Sequence, residues 1–175
     1  VIKILSFIAK PAFRPISHLF LYLISFYVLL LVFRVDRWLA IPGALAYGFS
    51  TYFLIIIAAG HITKAIAIGY MPLVIAGFYL IYSNRRIAGG LLTAFFLSFQ
   101  ILTNHIQIAY YSLLVVLVFG IIWLIEAIKK GEFKQLSINT GIALVAVILA
   151  IAINFPNLYL TYDYGKYSIR GESEL

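Results

Sequence analysis

The chain contains no cysteine, only six Asp and Glu, and only three histidines in 175 residues. Without thiols it has no disulfide, thiolate nucleophile or iron–sulfur ligand, and the histidines (His18, His61, His105) show no zinc-ligand spacing. Charged residues make up 11% of the chain against 64% hydrophobic, with mean hydropathy +1.05. A soluble domain is nearer half apolar and a quarter charged, so this composition excludes one and points to an integral membrane protein. No Asp, Glu, Lys, Arg or His falls in the middle of a long apolar run. Proton-coupled transporters need such groups at mid-membrane and channels need polar pore linings, so both classes lose ground.

What is present is a series of six apolar stretches, at roughly 16–33, 38–59, 65–82, 87–103, 108–128 and 137–155, each near the ~20 residues that a bilayer requires. The predicted fold is therefore all-α, a polytopic transmembrane bundle of about six spans. The gaps around Arg34–Arg37, Ser83–Arg86 and Lys129–Lys134 carry seven Lys or Arg, whereas Gly60–Lys64 and Thr103–Gln107 carry one. Short-loop cations mark the cytoplasmic side, which puts the first three gaps inside and both chain ends outside. The same bias accounts for much of the net charge of +7, so a nucleic-acid partner is not expected. A continuous helix from Ile87 to Ile128 would be twice the membrane thickness, so a hairpin turn is required near Asn104 and His105.

Residues 1–15 read as an amphipathic segment lying on the outer face and broken by Pro11 and Pro15, 16–155 as the membrane region, and 156–175 as the start of an outer loop. Pro72 is expected to kink the third span. The first apolar run ends in Arg34 and Arg37, a span ending rather than a signal-peptide cleavage site. The start at Val1 and the polar finish Gly171 to Leu175 are expected of an internal piece of a longer protein.

Two outer gaps hold the residues that can carry chemistry. In Gly60-His61-Ile62-Thr63-Lys64 an imidazole, a hydroxyl and an ammonium meet at a helix end, a set suited to a phosphate; the competing reading is a snorkelling lysine at the water boundary. Gln100, Thr103, Asn104, His105 and Gln107 form the second set, with Gln100 and Asn104 one turn apart. A buried amide also serves simply to bond a neighbouring helix. Asn154, Pro156 and Asn157 end the last span at the same depth, and the following run from Tyr162 to Arg170 alternates rings with charges, a mixture suited to holding a sugar or to packing a folded loop. No metal site is expected, and the residues indicate no cofactor.

Four motifs in order carry a family resemblance: Gly43 to Tyr52 (GALAYGFSTY), Gly60-His61 with Lys64 and Tyr70-Met71-Pro72-Leu73, Asn104 to Tyr111 (NHIQIAYY), and Tyr162 to Leu175 (YDYGKYSIRGESEL). Through them the chain resembles the YfhO family of bacterial membrane proteins, particularly its Bacteroidetes-type members. The resemblance implies a GT-C-type architecture in the bacterial inner membrane, with transfer of sugar from a polyprenyl-phosphate-linked donor at the extracytoplasmic face. It also implies a catalytic acid in the first outer loop of a longer protein, a role not assigned to Asp163. On that reading Lys64, with His61, neutralises the donor phosphate; Asn104, His105 and Gln107 orient hydroxyls; Tyr162 contacts the sugar; and Arg170 closes over the phosphate. His61 and His105 are the candidate bases. The expected partners are membrane lipids, the lipid-linked donor and other membrane subunits. The alternative is a noncatalytic assembly or lipid-handling subunit using the same polar cluster for docking; membrane-bound acyl transfer through His61 or His105 ranks far lower.

Overall fold

In the computed structural model, residues 14–166 are described, and among them the chain is helical without strands. The helices are α1 (Arg14–Val32), α2 (Arg37–Gly48), α3 (Thr51–Ala58), α4 (Ile62–Tyr82), α5 (Arg86–Leu102), α6 (Ile106–Lys130), α7 (Phe133–Ile153) and α8 (Phe155–Lys166). By length and composition α1, α4, α6 and α7 are able to cross a membrane, and the bent pair α2–α3 makes a fifth span if it is counted as one. These apolar helices fit a multi-pass membrane protein. At 17 residues α5 is apolar but reaches only about 26 Å, short of a ~30 Å hydrocarbon core.

Two local differences from the sequence reading have identifiable causes. The second stretch is not one helix: α2 and α3 meet at 47°, because Ser50 takes a non-helical conformation (φ −55°, ψ 131°) and its carbonyl begins the next helix by accepting from Phe53 and Leu54 N–H. Gly48 ends α2 against α1, where a Cβ would come within 2.6 Å of Leu23 Cδ2. Pro15 lies inside the first turn of α1, a position where its missing N–H costs nothing; the segment it is expected to break lies outside the described residues. Residues 156–166, expected as loop, continue as α8 with Pro156 in its first turn. The helix of α4 stays unbroken through Pro72. The proposed interfacial segment lies outside the described residues except for Arg14 and Pro15.

The turns are closed by backbone chemistry. Val35, His61, Arg85 and Glu132 N–H groups each bond the carbonyl five residues back, the pattern of a helix ending in a left-handed residue. That residue is Gly60 or Gly131 in two cases, and Asn84 or Arg34 in the others. Asn104 (φ 56°) makes the tight reversal between α5 and α6, and Asn tolerates this conformation better than most residues.

Packing centres on α4, the most buried of the long helices. It crosses α5 antiparallel and closely: a Cβ on Gly77 would lie 2.8 Å from Thr93 N, and one on Gly89 would lie 2.5 Å from Ile81 N. Such small residues let backbones approach, the usual basis of helix association in lipid. Val74, Phe78, Ile81, Leu97 and Ile101 fill the core beside this crossing. Contacts of Leu21 and Tyr22 with the Gly69 site, and of Phe33 with Tyr79, show that α1 runs parallel to α4.

This arrangement sorts the loops into two ends. At the basic end Arg86 Nε donates to Asn139 Oδ1 (2.8 Å), Gln135 Nε2 to Asn84 Oδ1 (3.3 Å), and the Tyr82 and Thr140 hydroxyls are 2.9 Å apart. Phe33, next to Arg34, packs on Tyr79 and Phe119 there. The three cation-rich gaps therefore share one end of the bundle, and the gaps bearing His61 and His105 share the other.

Candidate polar site at the histidine end

The α3–α4 turn presents His61, exposed, and Lys64, half-buried in the first turn of α4. Lys64 Nζ lies over the Tyr52 ring, 5.5 Å from its centroid. The ring's negative face favours the ammonium there and holds it at the surface without neutralising it. The α5–α6 turn brings up His105, half-buried. Its pKa lies below the ordinary value because partial burial disfavours the cation and because the charges of Lys64, and then His61, repel a proton. The α3–α4 turn thus acts on an imidazole of the α5–α6 turn and biases it toward its neutral form.

Asn104 is exposed, and its Oδ1 lies 3.0 Å from the Thr161 hydroxyl, which is also 2.8 Å from the Asn157 carbonyl oxygen. The contact ties α8 to the α5–α6 turn. Gln107 Nε2 donates to Tyr111 Oη at 2.6 Å, one helical turn along α6. No hydrogen bond or ion pair joins the side chains of His61, Lys64 or His105 to another side chain among the described residues. The α3–α4 turn therefore sets Lys64 and His61 within electrostatic reach of His105, with Asn104 on the same hairpin reversal as His105.

Other residues serve elsewhere. Tyr162, 67% exposed, carries Lys166 over its ring at 4.8 Å, and Lys166 also lies 3.6 Å from Asp163. Arg170 lies outside the described residues. Gln100 is fully buried: its Nε2 donates to the Ala67 carbonyl (3.0 Å) and to Ser112 Oγ (2.9 Å), which ties α4, α5 and α6 together below the site. Asn154 Nδ2 lies 2.9 to 3.0 Å from Ser98 Oγ, the Ser98 carbonyl and the Ala150 carbonyl. Both amides thus take the helix-bonding role rather than extending the surface cluster inward.

Sequence reading missed Thr161 as the partner of Asn104 and Tyr52 as the platform under Lys64. The Gln107–Tyr111 pair was legible as an i, i+4 spacing, whereas contacts made across α8 or α3 leave no local signal. Among the described residues no group of three or more His, Asp or Glu is placed to hold a metal ion. No family model, curated protein or solved structure matches the chain.

Proposed function

We propose that this chain is the membrane-embedded part of an enzyme of the lipid-linked glycosyltransferase type, with about six spans, a GT-C-like arrangement and a YfhO-like sequence, in a bacterial plasma membrane. The histidine end faces outward and binds the phosphate of a polyprenyl-linked sugar. The observation that carries this reading is the convergence of Lys64 and His61 on His105 with no carboxylate paired to any of them among the described residues. Unpaired cationic and imidazole groups on two turns are a complement for an anion whose charge grows as the glycosidic bond breaks. Asn104 and Gln107 supply amides for hydroxyls beside it. Outward orientation rests on the cation bias of the opposite loops.

A second reading, a noncatalytic lipid-handling or assembly subunit, is favoured by the placement of carboxylates. Asp36, Glu126 and Glu132 belong to the basic end, and Asp163 pairs with Lys166. The test is transfer of labelled sugar from a polyprenyl-phosphate donor by membranes carrying the full-length protein, alongside photo-crosslinking of a polyprenyl-phosphate probe. Transfer lost in Lys64→Ala supports the enzyme; crosslinking at the histidine end without transfer supports the subunit; neither signal rejects the site.

A further inference from the structure

An apolar groove of about 840 Å³ opens on the surface formed by α5 and α7 and runs from Ala88, near the basic end, to Leu102, Ile153 and Asn154 at the histidine end. It is lined by Ala88, Leu91, Phe95 and Leu102 of α5 with Leu149 and Ile153 of α7. From Ala88 to Leu102 the helix advances about 21 Å, more than the ~15 Å of one leaflet's hydrocarbon, so the groove accepts an acyl chain along its length. The α5 positions recur every three to seven residues on one stripe, and stepping back one turn from Ala88 reaches Arg85, which is exposed.

Arg86 stands beside it with a fixed orientation. Its Nε–H is committed to Asn139 of α7, which is buried, and this leaves four guanidinium N–H donors. Ala88, the lining residue nearest the basic end, thus follows two adjacent arginines in the chain, one of them held by α7; the arginines stand next to the groove and do not line it. The loops of this end carry seven Lys or Arg against Asp36, Glu126 and Glu132, so the local field favours an anion.

We propose that this groove is a binding site for an anionic phospholipid, with the phosphate diester on Arg85 and Arg86 and an acyl chain along α5. Guanidinium suits a phosphate because its planar N–H pairs match two oxygens at once. Charge complementarity at only one end of an otherwise apolar groove selects a lipid over a second helix, which would need no charge there. The proposed phosphate contact lies at the other end of the molecule from the histidines and does not depend on their role.

The test uses the full chain in a neutral detergent, with dioleoyl phosphatidylglycerol retained per protein read by native mass spectrometry. Dioleoyl phosphatidylcholine and inorganic phosphate serve as separate arms. Phosphatidylglycerol is expected to be retained at least fivefold over phosphatidylcholine, with inorganic phosphate failing to displace it. Arg85→Gln with Arg86→Gln, and separately Ala88→Trp, each remove that preference, whereas Lys129→Gln with Lys130→Gln, the same charge change elsewhere at this end, preserves it. Because Arg86 also bonds Asn139, Arg85→Gln alone is the check on folding and is expected to lower retention at least twofold. Equal retention of the two lipids, or equal loss in the lysine pair, overturns the proposal. Displacement by inorganic phosphate shows an anion site without a lipid site and also overturns it. A change of oligomeric state in Ala88→Trp with lipid retention intact assigns the groove to a second copy and overturns it as well.

Discussion

The two ends of the bundle use polar residues in opposite ways. At the basic end, side chains from α4, α5 and α7 satisfy one another: Arg86 with Asn139, Tyr82 with Thr140, and Gln135 with Asn84. At the histidine end, His61, Lys64 and His105 interact through their fields and have no bonded partner among the described residues. A polar group bonded across a helix contact stabilises that contact, and its loss leaves a partner unsatisfied. A group that only feels its neighbours' charge is available to something else. The difference separates side chains committed to helix contacts from side chains left without a bonded partner.

The sharpest way to break the comparison is to disturb the crossing on which both ends depend. Gly89→Val places carbon against the Ile81 backbone N and the Gly77 carbonyl oxygen, which cannot yield as a side chain can. We expect a loss at or above the upper end of the ~1 to 3 kcal/mol typical of overpacking, seen as a collapse in folded yield and thermal midpoint in detergent. Both ends should fail together. Retention of wild-type stability would mean that the ends are organised independently.

Lys64→Ala tests the ligand-facing end. Loss of one charge-assisted phosphate contact is expected to lower donor transfer or crosslinking about ten- to a hundredfold, with stability within about 0.5 kcal/mol of wild type. Lys64→Arg should recover part of the loss. Asn139→Leu tests the other end with the opposite signature. It leaves the half-buried Arg86 without its acceptor, and about 1 to 2 kcal/mol of stability should disappear while donor binding is unchanged. If Lys64 costs stability and Asn139 costs binding, the comparison is inverted and the site lies at the wrong end.

The smallest effect is a pH dependence. His105 has a folded pKa below its unfolded value near 6.5, so the unfolded chain takes up the proton first as pH falls. Stability contributed by the neutral imidazole is present above about pH 6.5 and is lost as pH drops from there through the folded value. Thermal midpoints measured from pH 7.5 to 5 should decline less in His105→Gln than in wild type. A bound phosphate reverses the sign at this residue, since an anion beside the ring favours protonation.

Much of this division was legible in the sequence, for physical reasons. The loops sort by Lys and Arg counts, and the long helices follow from apolar runs bounded by Gly60, Asn84, Asn104 and Gly131, residues that accept the left-handed turn. His61, Lys64 and His105 were visible as the unusual polar residues of two gaps. The break at Ser50 was not legible, because seven of the eight residues of α3 are hydrophobic by composition or carry an aromatic ring, and hydropathy reads straight through it. The fate of Gln100 was equally hidden. Whether an amide near a helix end faces a ligand or a neighbour depends on Ala67 and Ser112, which the fold brings from other helices. Tyr162 illustrates the limit from the other side: Lys166 stands one helical turn away in sequence, but that spacing alone does not distinguish a ring that carries a lysine from one that stacks on a sugar.

The unequal lengths of α5 and α6 impose a shape on the surrounding lipid. At 17 and 25 residues they extend about 26 and 38 Å, and a bilayer meeting both cannot keep one thickness around the whole perimeter. The longer helix is accommodated by leaning; the shorter one leaves no such freedom, so the hydrocarbon thins along its outward side, where Ile87, Leu91, Phe95 and Leu102 are exposed.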